Sequence, residues 1–363
     1  MSDSVSSRAP RFSVVIPTCD RKDQTLACVR SLLVQTIEDI EIIVVDDGSQ
    51  DGTPEAIESL GDPRVTVLRN EQNRGANASR NRGSRAASCD LVGFLDSDCV
   101  TFPDWVERFL PTFDDPTVGA SSGLVIDKCK DNPWELMFAG VGRFAQPGDI
   151  SRFISCNLCV RRSLLVAFEW EEDFTDNAVT NGGRVDTSFS GRCDEEGLYL
   201  AIRRAGWRVV AAPDAQVEHH HGYTARSLMK QAFHGGQAAA ELVWKYHLRF
   251  PVDIFPLSLA YLLLLPAVIL GIFFSWWFLL APGFFLALEA AGACYKEISR
   301  KGKRISELPR ISHVLLIYYH LRLTGYLIKW MKLRCHADEI VRVDSDSIGK
   351  ELPRPPSLST GSA

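Results

Sequence analysis

Short apolar runs alternate with segments of helical periodicity along the first hundred residues. Residues 11–17 form a run of mostly β-branched residues that ends near a proline, and residues 22–35 follow with apolar side chains on one helical face. In EIIVVDDGSQDGT an apolar run precedes a turn that Asp51 can cap into a helix through Leu60. RVTVLRN, NASRNRGSRAAS and DLVGFLD continue as strand, helix and strand. This alternation predicts an α/β fold with an open, mostly parallel sheet and helices on both faces.

Polar side chains stand where three of the predicted strands end. They are Thr18 and Asp20 after the first strand, Asp46 and Asp47 after the second, and Asp96 and Asp98 after the fourth. Any one of them is consistent with a turn residue or a helix cap. In open α/β sheets, however, ligands bind beyond the carboxyl ends of the strands. Three clusters at three such ends therefore predict a binding crevice.

The pair Asp96 and Asp98 has the chemistry of a divalent cation site. Mg²⁺ or Mn²⁺ binds one or two carboxylates and shares its other positions with water and phosphate oxygens. Neither a GxGxxG fingerprint nor a phosphate-binding P-loop occurs in the sequence after the first strand. Phosphate would then be neutralised by the metal and by arginine, and Arg80, in the helix before the fourth strand, is the candidate. A solvated helix arginine is the alternative.

Charge and cysteine usage restrict the class of partner and the compartment. The net charge is −5, which argues against a general nucleic-acid binder. The ten cysteines have no repeating spacing, and the N-terminal residues do not resemble a cleavable signal, so we expect reduced thiols facing a cytoplasm. The one CxxC, from Cys156 to Cys159, has no second pair at zinc-finger distance and is typical of an ordinary loop and strand start.

A long apolar run near the C-terminus predicts membrane attachment. Residues 254–288 contain no charged residue, and a bilayer crossing needs about 20 apolar residues, so we expect a helical transmembrane hairpin at 254–294. A buried core hairpin of a soluble protein is the alternative. Lysines and arginines flank both ends, which predicts that both face the cytoplasm at the cell (inner or plasma) membrane.

The remaining segments complete the domain organisation. Residues 226–250 have the pattern of an amphipathic interfacial helix, and residues 305–335 that of a second interfacial helix or third membrane segment. The tails at 1–10 and 337–363 have a composition typical of disorder. The α/β domain is thereby assigned to residues 11–225.

Five motifs occur in the order seen in the family 2 glycosyltransferases, which are inverting enzymes with the GT-A fold. They are FSVVIPTCDR, IIVVDDGSQDGT, NRGANASRNRG, GFLDSDC and DEEGLYLAIRRAGWRVVAAPDAQVEHH. The chain resembles this family over about residues 11–250, and its apolar C-terminal run resembles that of the membrane-bound members. The resemblance implies nucleotide contacts from Pro17, Thr18, Asp46 and Asp47, metal ligation by Asp96 and Asp98 as the DxD motif, and a place near the diphosphate for Arg80.

The resemblance also implies a general base just before the helix that ends in RRAGW. The family's Glu-Asp pair falls on Asp194 and Glu195, in reversed order, so Glu195 takes the base position and Asp194 and Glu196 remain competing candidates. His219, the first of three consecutive histidines, is a candidate third metal ligand or diphosphate contact. Asp20 stands where the family usually has asparagine.

The activity implied is the transfer of one sugar from a nucleotide sugar, with uridine diphosphate as the family's usual carrier, to a lipid-linked or cell-surface glycan acceptor. Gln231 is followed by AFHGG rather than by the QxxRW element of the processive synthases, which favours a single transfer. Two other interpretations remain: a sugar-nucleotide-binding membrane scaffold without catalysis, and a soluble nucleotidyltransferase.

Overall fold

The structure is a computed structural model that describes residues 11–128, 132–136, 144–170, 194–220, 222, 224–246, 308–335 and 353–356. The predicted hairpin at 254–294 and the N-terminal tail lie outside the described residues. Of the C-terminal tail, only residues 353–356 are described.

The first half of the domain follows the predicted alternation. Its elements are β1 Phe12–Thr18, α1 Lys22–Leu33, β2 Ile40–Asp46, α2 Thr53–Glu58, β3 Val65–Arg69, α3 Ala76–Ala86 and β4 Leu91–Leu95. The four strands and three helices predicted for this half are confirmed. Helix α2 begins one residue after Gly52, and Asp51 Oδ1 accepts a hydrogen bond from the Thr53 N–H at 3.0 Å.

The second half contains both the shortest and the longest strands of the sheet and ends in two long helices. Its elements are β5 Cys99–Thr101, α4 Trp105–Phe109, a 3-10 turn Leu110–Phe113, β6 Val118–Lys128, α5 Pro133–Leu136, β7 Gly148–Asp149, β8 Asn157–Arg161, α6 Arg162–Phe168, α7 Asp194–Arg204, β9 Arg208–His220, α8 Ala225–Tyr246 and α9 Leu308–Cys335.

All described strands join one sheet in the order β3-β2-β1-β4-β8-β6-β9-β5, with β7 beside β9. The strands from β3 to β4 are parallel, as predicted. From β8 onward the sheet is mixed, because β8 is antiparallel to both β4 and β6, and β5 is antiparallel to β9. The prediction of a mostly parallel sheet therefore holds from β3 to β4, and beyond β4 the sheet combines antiparallel pairs with the parallel pair of β6 and β9.

Successive residues of β1 pack against opposite faces of the sheet. Phe12, Val14 and Ile16 belong to a core with α1, α2 and α4, whereas Val15 belongs to a second core with α6 and α7. A strand buried on both sides must be apolar throughout, which is why β1 and β2 are almost continuous apolar runs. Their polar residues are confined to the ends: Ser13 and Glu41 lie near the amino ends, and Thr18 and Asp46 lie at the carboxyl ends, where the candidate site is.

Helices α8 and α9 pack against each other with direct backbone contact. A Cβ atom at Gly236 would overlap the Arg322 carbonyl oxygen, and one at Gly325 would overlap the Phe233 carbonyl oxygen. These helices correspond to the two predicted interfacial helices, and their location at a membrane stays a prediction. Within the described parts of the chain, no helix has both the length and the hydropathy needed to cross a bilayer.

Candidate active site

The carboxyl ends of β1, β2 and β4 bring the predicted polar residues to one edge of the sheet. Thr18 pairs with Asp46 at the ends of β1 and β2, and Asp96 follows the last residue of the neighbouring strand β4. This juxtaposition follows from the parallel arrangement, since parallel strands end at the same edge.

Asp96 and Asp98 each contact a positively charged side chain. Arg80 Nη2 donates to Asp96 Oδ1 at 2.9 Å, and Arg21 Nη1 donates to Asp98 Oδ2 at 2.7 Å. The Asp96 side chain is 31% exposed and that of Asp98 is 12% exposed. Both carboxylates therefore lie at the border between the core and the crevice.

His219 approaches the same pair from β9. Its Nε2 lies 3.2 Å from Asp98 Oδ1, and its Nδ1 lies 4.0 Å from Asp127 Oδ1. Burial acts to lower the pKa of His219, but the Asp98 carboxylate and the Cys156 side chain outweigh it, so this pKa lies well above its ordinary value. Asp98 thus lies between the Arg21 guanidinium and the His219 imidazole.

The donor atoms of this group fit a hard divalent cation. Asp96, Asp98 and His219 each offer one ligand atom, and these atoms lie within 4.8 Å of one another. Two carboxylates suit Mg²⁺ or Mn²⁺, and both ions share their coordination shell with phosphate oxygens and water. The residues present therefore fit the metal that the sequence predicts.

Arg80 is buried and held by several partners on one side of the crevice. Its Nη1 donates to Asn77 Oδ1 at 2.9 Å, and its Nη2 donates to Ser155 Oγ at 3.1 Å as well as to Asp96. The guanidinium also lies 5.1 Å from the centre of the Trp170 ring. A guanidinium fixed in this way presents a positive charge of constant position beside the carboxylates.

Glu195 connects to this network through Ser155. The backbone N–H and the hydroxyl of Ser155 both donate to Glu195 Oε1 at 2.7 Å. Within the described part of the chain, Oε2 of Glu195 has no hydrogen bond. Helix α7 begins at Asp194, and the side chains of Asp194 and Glu196 lie outside the described residues.

Asp46 and Thr18 lie buried at the strand ends expected to contact the nucleotide. Thr18 Oγ1 lies 2.7 Å from Thr25 Oγ1, and Asp46 Oδ2 accepts a hydrogen bond from the Ser49 N–H at 3.2 Å. Among the described residues, the buried Asp46 Oδ1 has no hydrogen-bond partner. Burial raises the pKa of Asp46. Pro17, one residue earlier on β1, is buried too.

Asp47 and Asp20 accept hydrogen bonds from the loops that follow β3 and β2. Asp47 accepts hydrogen bonds from the side chain of Asn70 and from the backbone N–H groups of Arg74 and Gly75, at 2.7–2.9 Å. Asp20 has a φ of 51° and accepts a hydrogen bond from the Gln50 N–H at 2.7 Å. Asparagine and aspartate are the residues that most readily take such a φ, so the aspartate serves this turn in place of the family's asparagine.

Two residues of the site were missed by the sequence analysis. Arg21 is the last residue of the first motif, FSVVIPTCDR, so the sequence already showed an arginine just after the first predicted strand. Ser155 lies in an ordinary loop before β8, and only the tertiary fold shows that it joins Glu195 to Arg80.

The family model described as Glycosyl transferase family 2 matches residues 13–167. This span runs from β1 into α6 and includes Arg80 and both carboxylates of the DxD motif. The match shows that residues 13–167 are similar to the family 2 glycosyltransferases, as the motifs in the sequence predict.

Curated relatives match over part of their length. The glucosyl-dolichyl phosphate glucuronosyltransferase of Haloferax volcanii is 32% identical over 120 residues, which cover 32% of this chain and 38% of the relative. The succinoglycan biosynthesis protein ExoO of Rhizobium meliloti is 32% identical over 114 residues, which cover 31% of this chain and 33% of the relative. The chain spans about a third of the length of the curated relatives it matches.

A solved structure shares the fold over most of both chains. The mannosyltransferase PcManGT from Pyrobaculum calidifontis, in complex with GDP-Man and Mn²⁺, matches with a TM-score of 0.51 and 19% identity. The match covers 92% of this chain and 89% of the mannosyltransferase. The likeness shows a GT-A-like mixed α/β fold.

Proposed function

We propose that this protein is an inverting glycosyltransferase that moves one sugar from a nucleoside diphosphate sugar to a hydroxyl acceptor. The observation that carries the proposal is the chain of hydrogen bonds from Asp96 through Arg80 and Ser155 to Glu195, with Asp98 close to Asp96. It supports the proposal because the ligand candidates for a cation, a fixed guanidinium and the candidate base Glu195 are joined in one network or lie beside it.

In this proposal Glu195 takes the proton from the acceptor hydroxyl while that oxygen attacks the anomeric carbon. The two hydrogen bonds from Ser155 fix Oε1 and leave Oε2 for the acceptor. A single displacement from the face opposite the nucleotide inverts the anomeric centre. Asp194 and Glu196 remain the competing candidates for the base.

Arg80, Asp96, Asp98 and His219 form the diphosphate side of the proposed site. Arg80 stabilises negative charge on the leaving diphosphate from a fixed position, since Asn77 and Trp170 hold the guanidinium. A divalent ion, Mg²⁺ or Mn²⁺, would supply further charge neutralisation there when bound. We assign Pro17, Thr18, Asp46 and Asp47 to the nucleotide side, where the unfilled Asp46 Oδ1 can accept an N–H or hydroxyl of a uridine group.

For the acceptor, we propose a lipid-linked or cell-surface glycan, with the site on the cytoplasmic face of the membrane. The apolar run at 254–288 supports a membrane location, and a relative named for a dolichyl phosphate substrate supports a lipid-linked acceptor. A catalytically inactive sugar-nucleotide-binding scaffold is the alternative, because the same cation site would serve binding alone.

The test is metal-dependent release of nucleoside diphosphate by the purified full chain from a panel of nucleotide sugars. We expect slow hydrolysis of one donor with Mn²⁺, and a loss of at least a hundredfold in Asp98→Asn, because that change removes a charged ligand of the cation. Asp114→Asn, at an exposed position, is the matched control and keeps full activity. Mn²⁺-dependent binding of a donor without any release would favour the scaffold, and full activity in Asp98→Asn would refute the metal role.

A further inference from the structure

A second group of potential ligand atoms shares His219 with the carboxylate pair. Cys99, Cys156 and His219 each offer one ligand atom, and these three atoms lie within 4.8 Å of one another. Cys99 is completely buried and Cys156 is 3% exposed, whereas the His219 side chain is 16% exposed and lies on the crevice side. An ion could therefore reach the thiols past the imidazole.

The backbone of the sheet fixes the positions of all three residues. Cys99 pairs directly with His219 across the antiparallel strands β5 and β9. Cys156 precedes β8, whose first residue pairs with Leu95 at the end of β4. Ligands that are positioned by paired strands are pre-organised, so ordering them costs little when an ion binds.

The donor types differ from those of the carboxylate pair. Thiolate sulfur and imidazole nitrogen are soft or borderline ligands that select Zn²⁺ over Mg²⁺ and Mn²⁺. Zn–S bonds of about 2.3 Å in a tetrahedral site hold two sulfurs about 3.8 Å apart, which is compatible with ligand atoms that lie within 4.8 Å of one another. Two thiolates, one imidazole and a water molecule give a four-coordinate site.

His219 contacts Asp98, a carboxylate of the kind that usually orients a metal-binding histidine. A histidine that ligates a metal through one ring nitrogen normally donates the other N–H to a carboxylate or carbonyl, which fixes its tautomer and orientation. The Nε2 of His219 lies 3.2 Å from Asp98 Oδ1. Asp98 would therefore orient the ring, and the Asp127 carboxylate lies 4.0 Å from the other ring nitrogen, Nδ1.

We propose that Cys99, Cys156 and His219 form a Zn²⁺ site, termed here the soft-donor site, beside the carboxylate pair. Zinc bound there takes His219 away from the cation held by Asp96 and Asp98. Zn²⁺ should consequently weaken Mn²⁺ binding, a consequence that rests on the proposed function of the carboxylate pair. The soft-donor site itself does not depend on any catalytic role.

Cobalt spectroscopy of the purified full chain, kept reduced with a phosphine, tests the site directly. Co²⁺ bound to thiolates gives a sulfur-to-metal charge-transfer band in the near ultraviolet, which carboxylate ligation does not. We expect one equivalent of Co²⁺ to produce this band and one equivalent of Zn²⁺ to remove it. Cys99→Ala and Cys156→Ala should each lose the band and bind Zn²⁺ at least tenfold more weakly.

Matched controls separate this site from other thiols and from the carboxylate pair. Cys159→Ala changes a thiol on β8, three residues after Cys156, and should keep the band. Asp96→Asn, in the carboxylate pair, should keep it too. Should the cysteine variants fail to fold, zinc-edge X-ray absorption on the wild-type chain gives the answer, because two Zn–S bonds of about 2.3 Å are expected. A band that persists in Cys99→Ala, or a zinc shell without sulfur, would overturn the proposal.

Manganese binding, followed by electron paramagnetic resonance, distinguishes the two proposals. In the wild type, Zn²⁺ should raise the dissociation constant of Mn²⁺ severalfold, and in Cys156→Ala it should not. A chain that binds no Mn²⁺ at all contradicts the proposed function, while the cobalt band still decides the soft-donor site. A band together with unchanged Mn²⁺ binding would refute only the competition for His219.

Discussion

At the residue scale, the candidate site depends on side chains that hold one another in place. Glu195, Ser155, Arg80 and Asp96 form a chain of hydrogen bonds in which each group has a fixed partner. Pre-organisation of this kind lets charged groups act without reorganising during the reaction. The effect of replacing a residue on catalysis should therefore depend on whether that residue contacts the substrate or only positions another residue that does.

Ser155 is a positioning residue in this scheme. Ser155→Ala removes the hydroxyl bonds to Glu195 and Arg80 but keeps the backbone N–H bond to Glu195. We expect kcat to fall about tenfold, equivalent to about 1.4 kcal/mol, with KM for the donor unchanged. Steady-state kinetics check this, with the exposed Ser151→Ala as control. A rise in KM alone would show that Ser155 acts on donor binding.

Arg21 should compete with the metal ion for Asp98. The Arg21 side chain is 39% exposed, and an ion pair of this exposure is worth at most about 1 kcal/mol. We expect Arg21→Gln to tighten Mn²⁺ binding up to about fivefold, because the ion no longer has to displace the guanidinium. A paramagnetic resonance titration measures this, with Arg108→Gln, from the exposed Arg108–Asp104 pair, as control. Weaker Mn²⁺ binding would instead mean that Arg21 organises the site.

At the scale of elements, an irregularity in the pairing of β6 and β9 precedes the part of β9 that carries His219. The pairing of these strands shifts register after Gly123, which pairs with Ala212 while Leu124 pairs with Gln216. Asn157 bridges the shift, since its Nδ2 donates to the Leu124 and Ala215 carbonyl oxygens. Gly123 leaves room for this side chain, because a Cβ there would overlap it.

Removing the Asn157 amide should destabilise the whole domain. Its Oδ1 also accepts from Trp105 Nε1 at 2.8 Å, so Asn157→Ala leaves three buried polar groups without their partner. We expect a loss of about 3 kcal/mol or more in the free energy of unfolding, compared with less than about 0.5 kcal/mol for the exposed Glu71→Ala. Denaturant titration of both variants checks the difference. A loss below 1 kcal/mol for Asn157→Ala would show that water replaces the amide.

Elements that the sequence predicts are defined by residues close together in the chain, whereas the elements it does not predict depend on pairings between distant residues. Strands β1, β2 and β4 and helices α1 and α3 show their periodicity within a few residues, so the sequence alone predicts them and the polar residues at their ends. The antiparallel half depends on pairings such as Cys99 with His219, which are 120 positions apart in sequence. No local pattern encodes that pairing, and the same holds for Ser155 beside Glu195.

At the scale of the whole molecule, residues distant in sequence bring the C-terminal part of the chain into contact with earlier elements. Trp207 Nε1 donates to the Pro353 carbonyl oxygen at 2.5 Å, so a short piece of the C-terminal tail lies against the catalytic domain. The disorder expected for residues 337–363 as a whole stays a prediction. The close packing of α8 against α9 likewise brings the residues on either side of the apolar run together.

This packing makes a specific prediction about the apolar run. Since α8 ends at Tyr246 and α9 begins at Leu308, a hairpin at 254–294 would leave and re-enter the same face of a membrane, as the flanking positive charges predict. We expect the full chain to pellet with membranes and to resist extraction by alkaline carbonate. Replacing Leu263 and Leu279, one in each half of the run, by arginine costs about 2.5–3.5 kcal/mol per site and should move the chain to the supernatant.

The matched double replacement by methionine keeps the apolar character and should still pellet. Recovery of the unaltered chain in the supernatant without detergent would mean that the run is a buried core hairpin. The acceptor proposed above would then lose its main support, because a lipid-linked glycan must be reached at the membrane surface. The cation site and the donor-release assay would be unaffected, since the site is built from residues between Thr18 and His219.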